Sequence, residues 1–361
     1  MLRRFVLPGL LVLLFFVQAA ASQKSPTLTP VPSDDKQSAL IREGVALHDH
    51  GDYDGAISKY QQVLSENPDN VTALYEMAYA HSMKKDYRKS LEIATRGAQY
   101  KSDLLVMFYL AIGNSLDQLG EPKKAVEVYK SSIKQFPAQA MLHYNLAVTY
   151  LNLKKPEDAR KSLKTAVMLN PKHPTSHLLL AINFFDQGYK TPALFAAARF
   201  LVLEPKTPRS DAAIKLVKEV LRGGVSAGNK PNEINISVNM DAKKDEGDFG
   251  TIELMLGLTK VGSQTDKNKE KTEIEQLVEQ VETVLSLVAE NDPKKNSSFF
   301  VHKYYIPYFV ELKQKGFVEP FVYHTFQRSN LPGVNQWITE HSGRVMQFLA
   351  WSNKYDWPKA E

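Results

Sequence analysis

The nine histidines of this 361-residue chain are the first candidates for chemistry, because imidazole serves both as a general base and as the commonest metal ligand. His48 and His50 flank Asp49, three ligand types in a row. Adjacent helical positions splay side chains apart, so this triplet reads as a solvated turn. His173 and His177 stand four apart and would share a helix face. Pro174 lies between them, and His143 holds the position of His177 one period earlier, so both read as packing residues. No H-E-x-x-H, G-x-S-x-G or Gly-Lys-Ser/Thr signature occurs. Gly223-Gly224 and Asn330 to Gly333 lack the strand–turn–helix setting a phosphate loop needs. There is no cysteine, which excludes disulfides, thiolate nucleophiles and metal sites, and a lipidated cysteine anchor. The expectation is a protein with no catalytic residues, no metal and no cofactor, and not an enzyme. Lys123, Lys124, Lys130 and Lys134, then Lys154, Lys155, Arg160, Lys161 and Lys164, form a basic run. It reads as a solvated face, with a salt-sensitive surface for anionic lipid or polysaccharide as the sharper alternative.

The elements that would carry these side chains are set by a repeat of about 34 residues. Gly44, Ala78, Gly113, Ala147 and Ala181 occupy one small position, and Ala56, Ser90, Ala125, Ala159 and Ala193 a second. Pro68, Pro137, Pro171 and Pro205 close four of the five units, which start near Gln37, Val71, Val106, Ala140 and Pro174. Within a unit, Leu40, Gly44 and Leu47 share one helical face, Gly51-Asp52-Tyr53 breaks the helix, and Ala56, Tyr60 and Val63 form the answering face. Asn67-Pro68 stops the second helix, because proline disfavours helical backbone at the residue before it. Each unit is therefore a helical hairpin whose small residues let two axes approach.

These marks resemble the tetratricopeptide repeat (TPR) family. The third unit matches best, through Tyr109, Ile112-Gly113, Leu116, Gly120, Ala125, Tyr129 and Pro137; the second departs most, with Ser90, Ala94 and Ser102. The resemblance covers residues 37–205 and implies a stacked helical solenoid that binds a protein or peptide in its concave groove. The family's groove positions, carried onto this chain, include Tyr75, Tyr79 and Met83 in the second unit and Asn114 and Gln118 in the third. Tyr144, Val148 and Asn152 follow in the fourth unit, and Phe185 in the fifth. No lysine or arginine stands at the transferred positions. A clamp for a terminal carboxylate, which needs cations beside asparagines, is therefore excluded. Tyrosine, aliphatic and amide character suits an extended segment or an amphipathic helix.

The ends and the remainder set the context. Met1-Leu2-Arg3-Arg4, the apolar run Phe5 to Val17 and Ala19-Ala20-Ala21 read as a signal peptide over residues 1–21. The run is too short to cross a bilayer core of about 30 Å. The expected location is periplasmic or secreted, with a membrane link only if the signal stays uncleaved. The net charge of +5 drops to +3 without Arg3 and Arg4, too weak for a nucleic-acid binder. Residues 22–36 read as a disordered linker, 206–222 as a capping helix and 223–232 as a second linker. The remaining residues, 233–361, read as a small α+β domain. Its expected strands are Ile234, Ile236, Val238 and Met240, and Ile252, Leu254, Leu256 and Leu258. Helices are expected at Thr272–Glu290, Phe299–Lys315 with a break at Pro307, and Gly333–Asn353, while Phe321–Phe326 fits helix or strand, with helix favoured. Its aromatics read as core and as a seam against the repeats, with carbohydrate stacking as the alternative. The fold class is thus mainly α, a TPR solenoid followed by an α+β module. The function is a non-enzymatic exported scaffold; the alternative is that the C-terminal domain is an envelope enzyme or glycan-binding module recruited by the repeats. Partner identity and oligomeric state are not encoded legibly.

Overall fold

A computed structural model describes residues 25–223, 225–227, 234–236, 245–262, 271–290 and 299–359. The signal expected over 1–21 and the alternation at Val238 and Met240 lie outside these residues. The chain divides into two compact units, one ending at Gln135 and one beginning at Phe136.

The first unit holds three hairpins: α1 (Asp35–Asp49) with α2 (Tyr53–Glu66), α3 (Val71–Met83) with α4 (Tyr87–Gly97), and α5 (Leu105–Gln118) with α6 (Pro122–Gln135). Asp34, Asp52, Asn70 and Asp86 each precede one of the first four helices, and their side chains accept from the backbone N–H three residues on, satisfying orphan donors of the first turn. Gly44 and Gly113 are small for a steric reason. A methyl group on either would overlap the ring of Tyr60 or Tyr129, both fully buried. The second repeat lacks such an aromatic at Ala94; instead Phe108, fully buried, comes from α5 and occupies the space a side chain on Gly97 would need. Ser90, standing where alanine was expected, is buried and accepts from the Ser115 hydroxyl at 3.1 Å.

From Ser25 onward the expected linker is not a loose tether. Thr27 and Leu28 donate to the Gln99 carbonyl, Lys101 donates to that of Leu28, and Val31 donates to that of Asp69. Asn67 Nδ2 reaches the Val31 carbonyl and Asn70 Nδ2 the Ser33 hydroxyl. Proline-rich sequence is short of apolar mass, as expected, but its extended backbone pairs with the polar seams between repeats.

The second unit continues with α7 (Ala140–Asn152) and α8 (Pro156–Leu169), then α9 (Pro174–Asp186) and α10 (Lys190–Leu203), and α11 (Pro208–Leu221) as expected. Next come β1 (Val225–Ala227) and β2 (Ile234–Ile236), α12 (Gly250–Gly262), α13 (Glu273–Glu290), α14 (Phe300–Tyr304), α15 (Ile306–Gln314), α16 (Val318–Thr325), α17 (Val334–Glu340) and α18 (Ser342–Lys354). The α+β expectation is corrected. Residues 252–258 lie in α12, because a run that is apolar at every second position is apolar at every fourth as well and so satisfies either period. Ile252 and Leu256, one turn apart, are both buried, whereas Leu254 is exposed. Among the described residues the strands are β1 and β2, three antiparallel pairs from Val225↔Ile236 to Ala227↔Ile234, and β1 falls in the expected linker.

The expected domain boundary at 223–232 is also not where the chain divides, since repeats four and five share a unit with everything after them. The reason is α10. Every residue from Thr191 to Val202 is buried, the mark of a helix enclosed on all sides. It packs on α9 and α11 as a repeat helix should, and also on α12 and α16. Pro307 sits in the first turn of α15, where a missing N–H costs nothing, and separates α14 from α15.

Candidate functional site

In the first unit, α3 presents the candidate surface. Tyr79 and Met83 are each 42% exposed, and Tyr75 is half-buried. Tyr75 and Tyr79 lie parallel with centroids 6.3 Å apart. His48 of α1 packs on Tyr79 at 4.8 Å, and Phe108 of α5 meets Tyr75 edge-on at 6.0 Å. Asn114 and Gln118 on α5 are exposed, and Asn114 accepts from the Tyr129 hydroxyl at 2.6 Å. The transferred positions of the first unit therefore fall on one run of first helices. The position-by-position transfer missed Glu76, half-buried on α3, whose carboxyl is pushed up by burial.

In the second unit Tyr144, Val148 and Phe185 are half-buried and Asn152 is exposed. Tyr144 meets the edge of His173 at 5.2 Å. Neither α3, α5, α7 nor α9 carries a lysine or arginine, whereas α4, α6 and α8 carry several. From α3 to α9 lysine and arginine thus fall on the second helices, whereas α1, the first helix of the first hairpin, carries Lys36 and Arg42.

The histidines behave as packing groups. His177 is fully buried; its Nε2 lies 3.0 Å from the Pro171 carbonyl and its Nδ1 2.7 Å from the Tyr305 hydroxyl. A neutral ring donating from Nε2 and accepting at Nδ1 satisfies both. Burial holds its pKa down at about 3, and burial also lowers His143, His173, His302 and His324. On unfolding these groups regain ordinary values near 6.5. Stability is then full above pH 6.5 and falls as pH drops toward 3, because the unfolded chain takes up protons that the fold refuses. His177 alone should remove about 2 kcal/mol between pH 6.5 and pH 5. Urea midpoints that stay level from pH 7 to pH 5 would contradict this.

The aromatic module is a core. The hydroxyls of Tyr304 and Tyr308 bond to the Val167 carbonyl and to Ser352, at 2.6 and 2.7 Å. They surround Arg199, 1% exposed, whose guanidinium lies 4.9 Å from the Trp357 ring and 5.5 Å from that of Tyr308. It donates to Ser352 and to the Pro171 carbonyl, and no carboxylate pairs with it among the described residues. The tryptophans offer no open platform for a sugar. Trp337 stacks with both Tyr323 and His341, at 4.1 and 4.4 Å; two rings that close must lie on opposite faces. Trp351 stacks on Tyr308 and Trp357 on Tyr304 and Tyr308. The basic run is likewise partly consumed: Arg160 and Lys164 of α8 bind Glu246, 2% exposed, and Arg160 also binds Asp245. A cleft of about 640 Å³ along α11 holds Lys218, Arg222 and Arg328, with Arg328 bonded twice to Asp211. No group of three potential metal ligands and no helix long and apolar enough to cross a membrane occur among the described residues.

Helical hairpins of this period, stacked through small-residue contacts, define a repeat array of the interaction-scaffold class. Residues 47–103 and 118–182 match the tetratricopeptide repeat family, and these parts of the chain are tetratricopeptide repeats. It is 28% identical over 199 residues to the BBSome complex member BBS4 of Bos taurus, covering 55% of this chain and 37% of that protein. It is 35% identical over 81 residues to the human protein O-mannosyl-transferase TMTC3, covering 22% of this chain and 9% of that one. The chain thus spans well under half of either relative. Among solved structures, the thermophilic TPR protein TTC0263 of Thermus thermophilus is 24% identical with a TM-score of 0.44, covering 50% of this chain and 99% of that one.

Proposed function

We propose that this protein is an exported, non-enzymatic scaffold that holds a protein or peptide segment against the first helices of its repeats. The observation that carries this reading is the pair of tyrosines on α3, with Tyr79 and Met83 exposed on a face free of lysine and arginine. An aromatic with a wet edge and an apolar body binds a segment through both stacking and its hydroxyl. The leader expected over residues 1–21 supports export, and processing of that leader would be seen as a mass loss in protein recovered from the envelope.

The test replaces Tyr75 and Tyr79 together by alanine. Photo-crosslinking from position 83 in envelope extract should give a partner adduct with the parent protein and at least tenfold less with the double variant, while the helical circular dichroism of the two stays alike. Equal adduct from a folded double variant would refute the groove. The alternative, a C-terminal module with its own enzymatic or glycan-binding activity, is less well supported, because its tryptophan faces are covered and its tyrosine hydroxyls are spent inside the core.

A further inference from the structure

The cleft of about 640 Å³ along α11 has the turn 327–330 as its other wall. A second cleft of about 380 Å³, between α11 and α13, shares Lys218 and Arg222 with it. Lys215, Lys218 and Arg222 recur at i, i+3 and i+7 and so lie on one face of α11. Two of the four cations that line the first cleft are already paired. Lys218 bonds Glu273 at 2.8 Å, and Arg328 is bonded twice to Asp211. Lys215 and Arg222 are exposed and make no hydrogen bond or ion pair among the described residues. Glu219, also exposed and unpaired among them, lies between the two in sequence. Across the cleft, Asn330 is exposed, and its side-chain amide has no partner among the described residues.

We infer that this cleft binds an extended acidic segment of a protein partner, with carboxylates three residues apart seated on Lys215 and Arg222. Seven residues of helix separate those cations by about 10.5 Å. A polyproline-II segment has three residues per turn and rises about 3.1 Å per residue, so side chains three apart share one side and stand about 9 Å apart. The flexible lysine and arginine stems take up the difference. Glu219 and the two paired acids set the density of charge the cleft accepts. A polyanion charged at every unit, such as a nucleic-acid strand, would set negative groups against Glu219. Spaced carboxylates leave neutral backbone there instead. The carbonyls of a polyproline-II backbone have no internal partner, and the Asn330 amide supplies two N–H donors to meet them. The cleft shares no residue with the tyrosine face of α3, so this inference does not rest on the groove reading above.

The experiment titrates full-length protein with a capped, labelled proline-rich peptide carrying Glu-Pro-Pro-Glu at its centre. A counterpart of equal charge carries its two glutamates side by side. Anisotropy gives the affinity, and the Nε–H resonance of Arg222 locates the peptide. The spaced peptide should saturate, shift that resonance and bind at least fivefold more tightly than its counterpart, with the difference shrinking as salt rises. Lys215→Gln and Arg222→Gln change exposed side chains only, so both variants should keep the parent's helical circular dichroism and each bind the spaced peptide several-fold more weakly. Lys161→Gln removes the same charge from an exposed position on α8 and should leave binding unchanged. Equal affinity for the two peptides, an equal loss with Lys161→Gln, or no saturable binding up to millimolar peptide would each overturn the inference. Tighter binding of an oligothymidylate or of phosphatidylglycerol vesicles, lost in Arg222→Gln, would overturn it in favour of a nucleic acid or a membrane.

Discussion

Trp357→Ala should destabilise the second unit by about 3–5 kcal/mol, the range for removing a large buried aromatic. Its position close to the end of the chain would suggest a dispensable residue. The ring is nevertheless 7% exposed and lies within 5.0 Å of Tyr304, Tyr308 and Tyr355. It also covers one face of the Arg199 guanidinium. Loss of the ring therefore creates a cavity and strips a buried cation of its aromatic partner at once. Trp357→Phe keeps a ring over Arg199 and should lose well under half as much. Urea unfolding read by far-ultraviolet circular dichroism decides the matter; a shift below about 1 kcal/mol for the alanine variant would mean that the tail is not part of the core.

Glu246→Ala carries the second large effect, about 3 kcal/mol. Its carboxylate is the shared partner of Arg160 and Lys164, whose side chains are 7% and 19% exposed. Removing one member of a buried ion group leaves the others desolvated and uncompensated, which costs more than the group contributes over an apolar replacement. Asp245 remains for Arg160, but the described residues offer Lys164 no other hydrogen-bonded carboxylate. Burial already depresses the lysine's pKa, and Glu246 opposes that shift, so loss of Glu246 should depress it further. The variant should then recover part of its deficit as pH rises toward the ordinary lysine value, because the folded chain can give up the buried ammonium before the unfolded chain does. The loss at neutral pH should survive added salt, because a pair this enclosed is poorly screened. A loss that salt abolishes would place the group at the surface.

The repeats were legible because their steric rule is local. Gly44 and Gly113 must be small where Tyr60 and Tyr129 pass, and that rule recurs at fixed spacing along the chain. First helices accordingly begin at Asp35, Val71, Leu105, Ala140 and Pro174, within two residues of the expected starts. The helix at 250–262 was misread because Ile252 to Leu258 is apolar at every second position and at every fourth, so only tertiary burial distinguishes the two periods. The merging of repeats four and five with the C-terminal module was written in α10, whose one charge, apart from the leading Lys190, is Arg199. A repeat helix packed on one side would carry a polar face; at the centre of a unit an apolar surface all round is required. The tyrosines of α3 are named from family positions, whereas the half-buried Glu76 beside them is not. Its burial depends on the neighbouring helices, which no single unit displays.

The segment from Thr27 to Ser33 changes how the array would bear a load. A linear stack ordinarily frays from its ends, each terminal hairpin held by one neighbour. Here the residues entering α1 are first bonded at Gln99 and Lys101, beyond the second hairpin, and then at Asp69 and Asn70, beyond the first. Tension on the N-terminal end is therefore delivered to the seam after the second repeat before it reaches α1. The first two hairpins are stitched into one mechanical element, and they should yield together at a higher force than either would alone.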